Sequence, residues 1–122
     1  MRPSAAWKAL KKYAAGKPGA WEDHPWRETV FKVAKKVFVF FGHPDYGSGV
    51  TCKLPDSGEA AITMFSFAEP TGYGLGKSGW VSAYLQPKDD VPVDLLRLWI
   101  DESYAAVAPK RRPKAAAARK RR

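Results

Sequence analysis

The sequence predicts an α+β domain: an antiparallel sheet with helices packed mainly on one face, in the order α-β-β-β-α-β-α. Three observations predict it. Apolar residues near both ends of the chain recur at helical spacing. Between Glu28 and Leu54, and again between Trp80 and Leu85, the period changes to two. Clusters of Gly and Pro separate the segments.

Ser4 reads as the N-cap of a first helix over Ala5 to Ala15. Trp7, Leu10, Tyr13 and Ala14 share one helical face, and Lys8, Lys11 and Lys12 fall off it. Gly16 and Pro18-Gly19 end it. AWEDHPWR reads as a loop holding Trp21 and Trp26, able to cap the sheet or line a groove. Thr29, Phe31 and Val33 then alternate with Val30, Lys32 and Ala34. After a tight turn at Ala34-Lys35 comes a second strand from Lys36 to Phe41, apolar on both faces and so expected in the middle of the sheet. GHPDYGSG is a loop, and Val50, Cys52 and Leu54 mark a third strand.

After Pro55, with Asp56 or Ser57 as cap, a short helix is expected to turn Ala61, Met64 and Phe65 inward. EPTGYGLGKSG is a Gly-rich connection with room for a short further strand near Tyr73. Val81, Ala83 and Leu85 mark the next strand, with Trp80 and Tyr84 expected in the core. In the last helix Asp90 is the candidate cap, and Pro92 suits a first turn. Leu95, Leu96, Trp99, Ile100, Tyr104 and Val107 form its apolar face. Asp101 and Glu102 read as solvated, and Pro109 stops the helix.

The net charge of +9 is uneven. Residues 109–122, PKRRPKAAAARKRR, hold eight Lys or Arg and no acid. The expected domain, residues 1–108, has 13 bases against 12 acids. It is itself split, with ten bases and four acids in residues 1–53 and three bases and eight acids in residues 54–108. Lys, Arg, Ala and Pro alone cannot form a core, so the tail is expected to be disordered. A basic tail calls for a polyanion, nucleic acid first. No apolar run nears the ~20 residues of a membrane span, and the charged N-terminus does not read as a signal peptide. A single cysteine, Cys52, allows no intrachain disulfide and fits a reducing cytoplasm.

FKVAKKVFVFF, VTCKLP, TGYGLGKSGWVSAYL and LLRLWIDESYAAVAPK resemble, in order and spacing, the MmcQ/YjbR family, from about Trp7 to Lys110. Lys36-x-Phe38, Lys77-x-x-Trp80 and Asp101-x-Ser103-Tyr104 are the most telling pieces. Lys35 stands where that family usually has Gly. The resemblance implies a small two-layer CyaY-like domain described as a double-wing DNA-binding motif.

GYGLGKSG is not a phosphate loop. Such a loop needs Gly five residues before Gly76, where this chain has Thr71, and a helix afterwards, where this chain predicts a strand. His24, His43, Asp45 and Cys52 share no metal-ligand spacing. Cys52 alternates with Val50 and Leu54, which reads as core. No catalytic constellation is legible, so no catalytic residue, metal or cofactor is expected.

Lys32, Lys35 and Lys36 cluster at one hairpin, Lys53 ends the next strand, and Lys77 sits on the Gly-rich connection. With Lys110, Arg111, Arg112, Lys114, Arg119, Lys120, Arg121 and Arg122 of the tail, they are the candidate phosphate contacts. In the sequence, no aromatic or Arg-Gly signature of single-strand readers accompanies them. The expectation is a cytoplasmic, non-enzymatic, weakly sequence-specific DNA-binding protein, with a monomer favoured. The alternative is a small protein- or ligand-binding adaptor with an incidental basic tail.

Overall fold

The computed structural model describes residues 2–25, 28–42, 48–72, 75–86 and 88–109. Trp26, His43, Asp45, Tyr73 and the cations of residues 110–122 lie outside the described residues. Three helices and six strands follow in the order α1 (Pro3–Ala15), β1 (Ala20–Asp23), β2 (Thr29–Val33), β3 (Lys36–Phe41), β4 (Ser48–Lys53), α2 (Gly58–Met64), β5 (Ala68–Pro70), β6 (Trp80–Leu85) and α3 (Val93–Val107). The strands form one antiparallel sheet in the order β1-β2-β3-β4-β6-β5.

The α+β class and the helix-on-sheet layering agree with the sequence. Two edge strands are additional. β1 occupies the segment read as a loop. Its pairing with β2 rests on backbone bonds, and its Glu22 and Asp23 break the apolar alternation that would reveal a strand. β5 is three residues long and ends on Pro70, which an edge tolerates.

The helix boundaries also differ. α1 opens on Pro3, whose ring presets the first-turn φ, so Ser4 lies inside the helix. At α2, Ser57 does occupy the cap position, but its hydroxyl bonds to Glu102 of α3. Pro92, without a side-chain cap, precedes α3 in place of Asp90.

Cross-strand partners divide the sheet into two faces. Phe31, Val39, Cys52 and Val81 lie opposite one another, and Phe41, Val50, Ala83 and Ala68 form the next row. All eight are buried under the helices, against Leu10 of α1 and Leu96, Trp99 and Ile100 of α3. β3 is central, as its two apolar faces predict. Between the pairs Phe31–Val39 and Lys32–Val37, β3 has one extra residue, Phe38. This bulge puts Phe38 and Val39 both inside, and Phe38 meets the ring of Tyr104 edge-on at 5.2 Å. The other face carries Trp21, Val30, Val37, Phe40, Thr51, Ser82, Trp80 and Tyr84; Val30 and Ser82 are buried there, and Trp21 and Tyr84 are exposed.

Three aromatic or apolar placements therefore depart from expectation. Tyr84 is 53% exposed and Trp80 is half-buried, both on the face away from the helices. Met64, at the last residue of α2, is 69% exposed, while Phe65, already past the helix, stacks on Phe67.

Four consecutive residues of α3 tie the layers together, and Asp101 and Glu102 are not merely solvated. Asp101 accepts hydrogen bonds from Tyr13 and Lys17. Glu102 accepts from the backbone N–H groups of Asp56 and Ser57 and from the Ser57 hydroxyl, so it caps α2 from another helix. The Ser103 hydroxyl accepts from Lys53 N–H at 2.8 Å and donates to the carbonyl of Phe38 at 2.5 Å. Tyr104 donates to the carbonyl of Pro18.

Ser103 is fully buried. Ser103→Ala should leave the Phe38 carbonyl and the Lys53 N–H unpaired and cost about 2–3 kcal/mol. The urea midpoint should fall with m unchanged, and exposed Ser66→Ala should not move it. For Asp101, burial raises the carboxyl pKa, but the bonds from Lys17 and Tyr13 outweigh it and hold the group below its ordinary value. A depressed carboxylate stabilises the fold above its unfolded pKa and loses that contribution as pH falls through the folded one. The melting-temperature gap between wild type and Asp101→Asn should thus be full near neutrality and shrink below about pH 4.

Candidate nucleic-acid interface

The register brings four of the candidate lysines to one end of the sheet. β2 ends at Val33 opposite the start of β3 at Lys36, and β4 ends at Lys53 opposite Trp80, which begins β6. The hairpin tip presents Lys35 and Lys36, both exposed. Ala34 turns the chain there with φ 55, and its carbonyl accepts the Trp21 indole N–H at 2.9 Å. Lys53 is half-buried. Exposed Lys77 lies in a 3-10 turn, Leu75–Ser78, just ahead of β6. Among the described residues, none forms an ion pair with Lys35, Lys36, Lys53 or Lys77.

That 3-10 turn is what the LGKS of this segment builds. A Cβ on Gly76 would come within 2.9 Å of the Pro70 side chain, and Gly79 has φ +90. These glycines serve close packing and chain reversal. Lys77 borders a hollow of about 390 Å³ that Asp56, Glu59 and Trp80 also line, so acids limit the basic row on this side.

The end of α3 lies at the same end of the sheet. Tyr104 is bonded to Pro18, two residues before Ala20, and Ala20 pairs with Val33 at the base of the hairpin. The helix runs on from there to Val107, and Pro109 closes the described chain just ahead of the basic tail.

Lys32 is placed differently. Its amine bonds to Asp23 at 2.8 Å and lies 5.1 Å from the centroid of the Trp21 ring. The hydrogen bond from Lys32, with that from His24 N–H, holds the Asp23 carboxyl below its ordinary pKa. Lys17, which the sequence did not single out, is likewise engaged, with Asp101 and the rings of Tyr13 and Tyr104.

Neither His24 nor Cys52 joins a larger set. His24 meets Glu22 at 2.8 Å and Thr29 at 3.4 Å. Burial, and then the charge of Glu102, push the Cys52 thiol far above its ordinary pKa. Among the described residues no three His, Cys, Asp or Glu side chains group to hold a metal.

Aromatic neighbours, absent around the lysines in sequence, are present in space. Phe40 and Trp80 meet edge-on at 5.4 Å across β4, beside Lys53. Trp21, Phe40, Trp80 and Tyr84 share the face that no described helix covers. Sequence reading placed Trp80 and Tyr84 in the core because alternation separates two faces without saying which one is covered. The glycine opposite Tyr84, Gly49, is the signal it passed over: Tyr84 fills the space above Gly49, where a Cβ would come within 3.2 Å of the ring.

Fold and site together define a two-layer α+β domain with one aromatic sheet face that no described helix covers, and a basic end. The YjbR family model matches residues 15–106, and the chain belongs to that family. Its fold is similar to that of the crystal structure of Deinococcus radiodurans protein DR2400, which has a DUF419 domain. The TM-score is 0.66 at 24% identity, over 82% of this chain and 76% of that one, a likeness of fold. No curated protein matches the chain. No helix among the described residues is long and apolar enough to cross a membrane.

Replacing Lys35, Lys36 and Lys77 together by Ala should leave the melting temperature nearly unchanged, since surface changes of this kind stay within about 0.5 kcal/mol each. Lys32→Ala should lower it more than any one of them, because it leaves Asp23 and the Trp21 ring without the amine. A calorimetric scan of the triple variant, of Lys32→Ala and of the three single Lys→Ala variants checks the contrast.

Proposed function

We propose that this chain is a cytoplasmic, non-enzymatic DNA-binding protein with weak sequence specificity. One observation above all supports the reading: Lys35, Lys36, Lys53 and Lys77 share one end of the sheet, and α3 delivers the chain into its basic tail at that same end. Backbone phosphates can then meet the tail and the domain together, with the tail supplying most of the affinity and the lysines of the domain supplying orientation. Lysines that reach phosphates read no bases, hence the weak specificity. Lys32 is the weakest member of the set, because Asp23 already offsets its charge. The deep burial of the Cys52 thiol supports a role without nucleophilic chemistry at that residue.

The adaptor reading keeps one observation in its favour. Met64 and Leu98, 69% and 64% exposed, border an apolar groove between α2 and α3. A protein that docks there would need no nucleic acid.

Fluorescence anisotropy on a random-sequence duplex, with the full chain and residues 1–108 over a range of salt, separates the two. Each phosphate contact on duplex DNA adds about −0.9 to the slope of log K on log salt, so the tail should contribute roughly −4 to −7. Truncation should weaken binding by orders of magnitude and flatten the slope, while residues 1–108 keep a residual affinity. Equal affinity and slope for the full chain and residues 1–108 would make the tail a bystander. No residual binding by residues 1–108 would remove the domain from the interface and favour the adaptor.

A further inference from the structure

We infer that the open face of the sheet is a stacking platform for the bases of single-stranded DNA. This rests on the nucleic-acid reading above and deepens it. The platform is built from Trp21, Phe40, Trp80 and Tyr84, which project from β1, β3, β6 and β6 on the side away from all three helices. Trp21 is 45% exposed and Tyr84 53%. From β1 to β6 there are four strand intervals, about 19 Å at the usual spacing of ~4.8 Å, room for several bases in a row.

The polar groups of this face are already spoken for. Thr51 bonds to Ser82 at 2.8 Å and Thr71 to Ser82 at 2.9 Å, and Lys32 bonds to Asp23. Exposed Glu69, opposite Ser82 on the edge strand, is a further acid of this face, and away from that edge what the face offers is π surface. Any base can stack on such a surface, so it tolerates any sequence. Gly49 is part of the construction: the room it leaves above β4 is where the Tyr84 ring lies.

Charge identifies the occupant. Lys53 stands on the face beside Trp80, and Lys35 and Lys77 lie at the same end of the sheet, where the chain continues into its eight-cation tail; Lys36, opposite buried Val33, belongs to the helix side. Trp80 lies opposite Lys53 and Trp21 bonds to Ala34 beside Lys35, while Tyr84 carries the ring surface on to the other end of β6. Rings that run away from a basic end suit a ligand that is apolar in its planes and anionic along its backbone. Unpaired DNA is such a ligand. A duplex keeps its base planes inside the stack and can satisfy only the cations, so the rings favour the single strand.

The test compares a labelled 15-mer of dT with a 15-base-pair duplex by anisotropy, using the full chain and its Tyr84→Ala, Trp21→Ala and Tyr84→Phe variants. Both rings are well exposed, and melting temperatures verify that each variant folds. The expected result is an affinity for the dT 15-mer about 5- to 100-fold weaker for each Ala variant, with duplex affinity unchanged and Tyr84→Phe close to wild type. Tryptophan fluorescence of the full chain should also be quenched on saturation with the dT 15-mer and not with the duplex.

Wild-type affinity of both Ala variants for the dT 15-mer would overturn the platform and leave binding through the tail intact. Equal weakening on both DNAs would overturn it too. Tighter binding of a 15-mer of rU than of dT would overturn the assignment to DNA. If the full chain binds neither DNA, the nucleic-acid reading fails first, and the platform with it.

Discussion

The hydroxyl of Ser103 holds the two layers in register. The bulge in β3 turns Phe38 inward beneath α3, and the Phe38 carbonyl and the Lys53 N–H then need partners at the gap between β3 and β4. One serine supplies both, as acceptor to Lys53 and donor to Phe38, inside a wholly buried site. A buried polar group with both partners in place fixes one arrangement, because any slip of α3 along the sheet leaves backbone groups unpaired. The neighbours of Ser103 extend the same constraint outward, Asp101 to the end of α1, Glu102 to the start of α2 and Tyr104 to the loop before β1. The position of the tail's point of departure follows from this clamp.

Most of the architecture was legible because burial writes itself into periodicity. Trp7, Leu10 and Ala14 at helical spacing, and Phe31, Val39, Cys52 and Val81 at alternate positions, gave the helices, the central strands and the core. Of the edge strands, β1 was not legible, and β5 only as room for a short strand in the Gly-rich connection. β1 is held by backbone pairing and carries Glu22 and Asp23, and β5 is too short to show a period. The roles of Asp101 and Glu102 were hidden for a related reason: a carboxylate that caps a distant helix looks, in one dimension, like a carboxylate facing water. The lysine candidates were visible one by one, but that they share an end of the sheet depends on strand register, which local sequence does not express.

The charge asymmetry of the chain also changes meaning in three dimensions. Several acids of the C-terminal half are not free to repel a polyanion. Asp101 answers Lys17, and Asp94 pairs with Arg97. In the N-terminal half Asp23 neutralises Lys32, so the formal count of bases there overstates what solvent meets. What remains on the domain is Lys8, Lys11 and Lys12 of α1 and, at the end of the sheet, a short basic edge beside an aromatic face, bounded at Lys77 by Asp56 and Glu59.

Cys52 has a use unrelated to ligands. It is the chain's one thiol, it is fully buried beneath α3, and its neighbour Lys53 is the residue that Ser103 secures. A thiol reagent can reach it only when the helix layer lifts from the sheet. Its rate of modification in the unaltered protein is therefore a clock for that opening, placed at the junction where the layers are clamped. Breathing of the domain can be timed there without adding any reporter.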